Sequence, residues 1–221
     1  MPRIARGIAD SFVYHILSRG NGRQKVFHKD QDYEAFIHLM KEAKERYPIK
    51  LFAYCLMPNH FHMLLKPVHG KDLSRYMQWL MTSHVRRYHS HYGTTGHVWQ
   101  GRFKSFIVQE DDHLLIVLRY VEGNPVRAGL TSTARDWVWS SHQEALGARA
   151  NGFIDEIPIP LPDKWGRYVD EPLTEKELAR LRESAHRQAP FGASIWKSKL
   201  CKEFGLESTM RKRGRPIKHR E

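Results

Sequence analysis

Cysteine is nearly absent: Cys55 and Cys201 stand alone in 221 residues, without the paired spacing of a structural zinc module or a disulfide framework, so core packing is their default role. No apolar run is long enough to span a bilayer, and no membrane partner is expected. The opening Met1-Pro-Arg-Ile-Ala-Arg-Gly7 lacks the hydrophobic stretch of a secretory leader, which leads us to expect a cytoplasmic chain. No glycine-rich loop is followed by Lys-Ser or Lys-Thr, so no nucleotide cofactor is expected. Acidic residues are outnumbered, 24 Asp+Glu against 36 Lys+Arg, for a net charge of +12. That balance projects a positive potential that attracts a polyanion in a salt-dependent way. Charge sign alone does not separate DNA from RNA, ribosomes or an anionic membrane.

What is present begins with His60-Phe61-His62, inside a run with Leu56, Phe61, Leu64 and Leu65 that suits a buried strand. Alternate residues of a strand share a face, so the two imidazoles point one way. A polar pair lodged there needs a partner or carries a desolvation cost of about 2 kcal/mol or more. A divalent metal satisfies that need; two separately hydrogen-bonded or solvated histidines would also do so.

Downstream, the acids Glu110, Asp111 and Asp112 favour a helix N-terminus, and Leu114, Val117, Leu118 and Val121 recur at helical spacing. Tyr120 and Asn124, four residues apart, then lie side by side on the flank of that stripe. Asn124 precedes Pro125, which disfavours helical geometry at the asparagine and should end the helix or distort its last turn. On its own this pair reads equally as a boundary tyrosine followed by an Asn-Pro stop.

The remaining pattern gives a strand over 11–18, a basic turn-rich loop over 19–25, a helix over 30–47, strands over 50–56 and 60–67 joined by a short turn, a helix over 72–92 and a strand over 103–108. Strand, helix, two strands, helix, strand, helix suggests an α+β antiparallel sheet backed by helices in a ferredoxin-like arrangement. Trp137, Trp139, Ser140 and Ser141 should begin a short helix through Leu146 that packs back on the sheet, and the proline-rich 151–172 reads as a connector. Thr174 and Glu177 form a capping-box match opening a helix with Leu178, Leu181 and Ala185, and Trp196, Leu200 and Phe204 mark a last helix. This pair either covers the main domain or forms a helix-turn-helix-like unit. The expected division is 1–130 catalytic domain, 131–173 packing segment and connector, and 174–221 helical pair with a basic tail.

Three basic features are candidates for holding nucleic acid. Arg19, Asn21 and Arg23 lie in a loop whose glycines allow close backbone approach, although such loops are often simply solvated. Trp99, Gln100, Arg102 and Lys104 combine an aromatic face, a base-edge reader and cations, suited to an unpaired base; a buried Trp with a salt-bridged Arg is the competing reading. The tail carries Arg213-Gly-Arg215-Pro, similar to an AT-hook core whose arginines enter a narrow minor groove, or else a charged tail with no fixed partner.

In order along the chain, Met57-Pro-Asn-His-Phe-His62, His97-Val-Trp-Gln-Gly-Arg-Phe-Lys-Ser105, Tyr120-Val-Glu-Gly-Asn-Pro-Val-Arg-Ala-Gly129, Trp139-Ser-Ser141 and Arg213-Gly-Arg-Pro216 resemble the REP-associated tyrosine transposases, relatives of the single-tyrosine HUH transposases. The resemblance implies an HUH nuclease fold, His60 and His62 as metal ligands, Tyr120 as nucleophile and Asn124 as third ligand. It implies a single-stranded DNA endonuclease and strand transferase that works at REP hairpins through a covalent 5′-phosphotyrosine, as a nucleoid-associated monomer or homodimer. The ligand set suits Mg²⁺ or Mn²⁺, while imidazole also accepts zinc, cobalt or nickel. Other readings are a hairpin-binding regulator without turnover, a hydrolase in which the histidines activate water, and a relaxase or replication initiator of the same superfamily.

Overall fold

A computed structural model describes residues 10–149 and 153–211. Its centre is a four-stranded sheet of β1 (Val13–Arg19), β2 (Ile49–Met57), β3 (His60–Pro67) and β4 (Lys104–Val108), in the order β2-β3-β1-β4 with every neighbouring pair antiparallel. Helices α1 (Asp30–Arg46) and α2 (Gly70–Tyr92) cover one face, and α3 (Asp112–Glu122) covers the other. This is the α+β, ferredoxin-like arrangement expected from the order of elements.

Alternation along the strands divides the core in two. Tyr14, Ile16, Leu56, Phe61, Met63 and Leu65 turn toward Phe36 and Met40 of α1 and Tyr76, Met77 and Leu80 of α2. Val13, Cys55, Met57, Leu64, Phe106 and Val108 turn toward Leu114, Val117, Leu118 and Val121 of α3. A register shift between Leu51 and Ala53 lets Phe52 and Ala53 both join the α3 side, as a bulge does by leaving one residue unpaired. Cys55 is a buried free thiol on that side and Cys201 a buried one on the other, as core packing predicts.

The segment after α3 departs from expectation in an instructive way. Within the helix expected over 137–146 only α5 (His142–Ala145) is helical; Trp137 to Ser141 instead runs along the outer edge of β2, where Leu56 N donates to Trp139 O, Ser141 N donates to Tyr54 O, and the Trp137 indole donates to Leu56 O. Those backbone groups of an edge strand need partners, and pairing them outweighs the local tendency of 137–141 to coil. The expected connector likewise contains α6 (Trp165–Asp170), because Trp165 and Val169 bury against the α3 core.

At the opposite edge, Phe191 N donates to Ile107 O and Gln109 N donates to Phe191 O, so the chain between α7 (Glu175–Arg187) and α8 (Ser194–Phe204) caps β4. Leu178 and Leu181 of α7 bury, Leu181 in the α3 core, and Leu200 and Cys201 of α8 bury in the other. The helical pair therefore covers the sheet. A last turn, α9 (Glu207–Met210), closes the described chain, and the AT-hook-like tail with Arg213 and Arg215 lies outside the described residues.

Candidate active site

Strand register brings the histidines together. In the antiparallel pair of β1 and β3, Leu17 faces His62 and Arg19 faces His60, while β4 places Lys104 opposite Leu17. Cross-strand partners share a face, so His60, His62, Arg19 and Lys104 gather at one end of the sheet's α3 side. His15, two residues before Leu17, lies on the same face. Nothing local marks His15, since a lone histidine in an apolar strand looks like core; only the register reveals it.

Each imidazole of the pair is oriented through Nδ1. His60 Nδ1 lies 2.6 Å from Asn59 Oδ1, and His62 Nδ1 lies 2.9 Å from His15 Nε2. The His60 and His62 rings stand edge to face with centroids 5.1 Å apart. Among the described residues neither Nε2 has a hydrogen-bond partner, so both are available to a ligand. Burial drives His60 down to about 4, with Arg19 and Arg127 adding repulsion, and takes His62 well below the usual histidine range. Both rings are therefore neutral at physiological pH, which is the form that donates a lone pair to a metal.

Helix α3 delivers the phenol. Asp111 caps it by accepting from His113 N at 2.9 Å, and its apolar stripe docks on the sheet with Tyr120 at the margin. The Tyr120 ring stands edge-on to His62 at 5.5 Å and to His15 at 6.1 Å between centroids. Arg127 stacks over it at 4.2 Å and donates to Tyr120 O at 2.9 Å, two contacts that fix the helix end and the ring together. The Asn-Pro stop distorts rather than terminates the helix: α3 ends at Glu122, Gly123 bends, and α4 (Asn124–Arg127) adds a turn with Pro125 in its first positions, where a missing N–H costs nothing. A side chain at 123 would meet Arg119 O at 2.9 Å and Val169 O at 3.0 Å, so the bend is built on glycine. Asn124 is 7% exposed, and its Nδ2 has no partner among the described residues.

These observations test the fit of a divalent cation. Two neutral imidazoles offer nitrogen donors, and Asn124, one turn beyond the phenol, carries a buried amide. Among the described residues no cluster of three or more His, Cys, Asp or Glu could hold a metal.

The loop after β1 is pinned beside the pair. Gly20 N donates to Asn59 O and Asn21 N donates to Val98 O, both at 2.8 Å, while Asn59 Nδ2 donates to Arg23 O at 3.1 Å. A Cβ at Gly20 would sit 2.3 Å from Gln24 O, so only glycine lets the loop close this tightly. Asn21, Arg23, Gln100, Arg102 and Lys104 are exposed, and a cleft of about 80 Å³ is lined by Leu17, Ser18, Arg19, Gln100, Arg102 and Lys104. Trp99 is a correction to the sequence reading: it is 5% exposed and packs on Phe27, Phe36, Phe61 and His84, because anchoring the 97–103 loop requires a large apolar side chain. Its ring is not displayed for stacking. Asn59 and Arg127 are site residues that sequence reading missed, although both lie within the transposase-like motifs.

Comparison with known proteins bears on the family and the fold. Residues 9–124 match the family described as Transposase IS200 like. A Haemophilus influenzae protein named as a REP-associated tyrosine transposase is 28% identical over 141 residues, 59% of this chain and 74% of its own. A solved structure of a REP-associated tyrosine transposase bound to a REP hairpin covers 79% of this chain and 100% of its own at 18% identity, with a TM-score of 0.56. At that identity the likeness speaks for the fold.

Proposed function

Because the chain belongs to the IS200-like transposase family, matched over residues 9–124, we propose that it is a metal-dependent single-stranded DNA endonuclease and strand transferase acting at or near REP hairpins. The observation that carries this reading is the Tyr120 ring standing edge-on to His62, 5.5 Å between centroids, on the face where both imidazoles are held neutral. The hairpin substrate is taken from the REP hairpin held by the structural relative.

In the proposed step the Tyr120 oxygen attacks the scissile phosphorus. The P–O3′ bond breaks as the tyrosyl O–P bond forms, the phenolic proton is lost and the departing 3′-oxygen takes one up. The result is a 5′-phosphotyrosine and a free 3′-hydroxyl, and phosphodiester energy is conserved for rejoining, so no nucleotide hydrolysis is needed. His60, His62 and Asn124 would hold a divalent cation, Mg²⁺ or Mn²⁺, which supplies Lewis-acid polarisation of the phosphate when bound. Arg127 and the sheet hold the phenol on one side of the site, and Arg19, Arg102 and Lys104 supply positive charge along the cleft beside it.

The experiment is incubation with a labelled hairpin oligonucleotide and Mg²⁺ or Mn²⁺, followed by denaturing electrophoresis. A denaturant-stable protein-DNA adduct, absent in Tyr120→Phe, is the expected result. Binding without cleavage would instead support a regulator, and cleavage that survives in Tyr120→Phe would support a hydrolase.

A further inference from the structure

We infer that His15 is a positioning residue for His62: its Nε2 accepts the hydrogen bond that holds His62 in the Nδ1–H tautomer, leaving Nε2 of His62 with the lone pair turned out toward a metal. The inference rests on the metal-site reading above and adds to it a residue from a different strand.

His15 is 1% exposed, and its ring lies edge to edge with that of His62 and nearly coplanar with it, centroids 5.0 Å apart and planes 27° apart. Its other neighbours are apolar or aromatic, Phe106 at 4.7 Å and the edge of Tyr120 at 6.1 Å. The interaction with His62, at 2.9 Å, is its polar one, since its Nδ1 has no partner among the described residues. An orphaned buried polar atom costs about 1 to 3 kcal/mol, so a phenylalanine would fill this space more favourably if filling were the only role.

The pair can share its proton in two ways. If His15 donated, the His62 proton would sit on Nε2 and the ring would offer no lone pair outward. If His62 donates, Nε2 is free, which parallels His60, whose Nδ1–H faces the amide oxygen of Asn59 at 2.6 Å. Metal-binding histidines are commonly oriented by a carboxylate or carbonyl. A neutral imidazole does the same work without placing a negative charge beside an incoming phosphodiester. His15 also touches both the proposed ligand and the proposed nucleophile, so it sets their spacing.

The test measures Mn²⁺ binding to the full chain without DNA, by electron paramagnetic resonance, for wild type, His15→Phe and His15→Gln. His15→Phe keeps the ring volume and removes the acceptor, and should weaken Mn²⁺ binding about 10- to 100-fold. His15→Gln restores an acceptor and should recover part of that affinity, while hairpin binding in EDTA stays equal in all three. Long-range ¹H–¹⁵N NMR of the wild type should find His62 as the Nδ1–H tautomer, a readout that needs no variant. Equal Mn²⁺ affinity in wild type and His15→Phe, or an Nε2–H tautomer at His62, overturns the inference and leaves the metal site standing. A wild-type chain that binds no Mn²⁺ overturns both.

Discussion

A buried imidazole stays neutral because charging it would strand a cation in apolar surroundings, and several histidines here are in that position. Burial takes His15 and His84 down to about 3 and His60 to about 4, against an unfolded value near 6.5. Between those limits the unfolded chain binds protons that the folded chain refuses. Stability contributed by these groups is therefore complete above about pH 6.5 and is lost as pH falls toward 4, each group adding up to about 1.4 kcal/mol per pH unit. His84 tests this without touching the site, since it sits at 1% exposure among Phe27, Phe36 and Trp99. His84→Phe should flatten the fall of Tm between pH 6.5 and 4 by about one proton's worth; an unchanged slope would mean that His84 takes no part. The sequence singled out His60, His62, Tyr120 and Asn124 as candidates because each sits in a short motif. His15 was illegible because its meaning comes from pairing with a strand far along the chain, and Trp99 was misread because cations in its motif suggested a surface.

Among the elements, α3 is fastened at its C-terminal end by a polar knot. Glu122 is fully buried and accepts from Trp165 Nε1 at 2.9 Å and Ser141 Oγ at 3.2 Å, with His142 Nδ1 at 2.7 Å. It lies two residues after Tyr120, so the segments after α4 hold the tyrosine helix in place from behind. Glu122→Ala would leave the Trp165 indole and His142 Nδ1 buried and unpaired, Ser141 Oγ keeping its bonds to the Tyr54 backbone, and should destabilise the fold by about 3 to 5 kcal/mol, read by chemical denaturation. A loss below about 1 kcal/mol would show the knot to be incidental. Local pattern showed the sheet and its helices well: β3 was placed at His60–Pro67 from alternation and turn residues alone. The same reasoning failed at 137–141, whose extended form is dictated by the β2 edge it satisfies. It also left open what α7 and α8 do, which depends on where β4 lies.

For the molecule as a whole, the decisive feature is that both edges of the sheet are occupied, β2 by 137–141 and β4 by Phe191. Strand-to-strand association needs an open edge, and covering it opposes self-pairing. The chain should therefore elute in light-scattering chromatography as a monomer of 26.0 kDa, and a stable dimer would show that another surface joins two copies. With a net charge of +12, hairpin binding should weaken steeply with salt. Deleting residues 211–221, a segment with six Lys and Arg, should lower the slope by about 0.9 for each phosphate that the tail neutralises, without abolishing cleavage. An unchanged slope would remove the tail from the DNA interface. The most direct test of the whole account is mass spectrometry of tryptic peptides from protein trapped on a cleaved hairpin. Nucleotide covalently attached to Tyr120, in peptide 120–127, is the expected result; nucleotide on any other residue, or cleaved DNA with no protein attached, would contradict it.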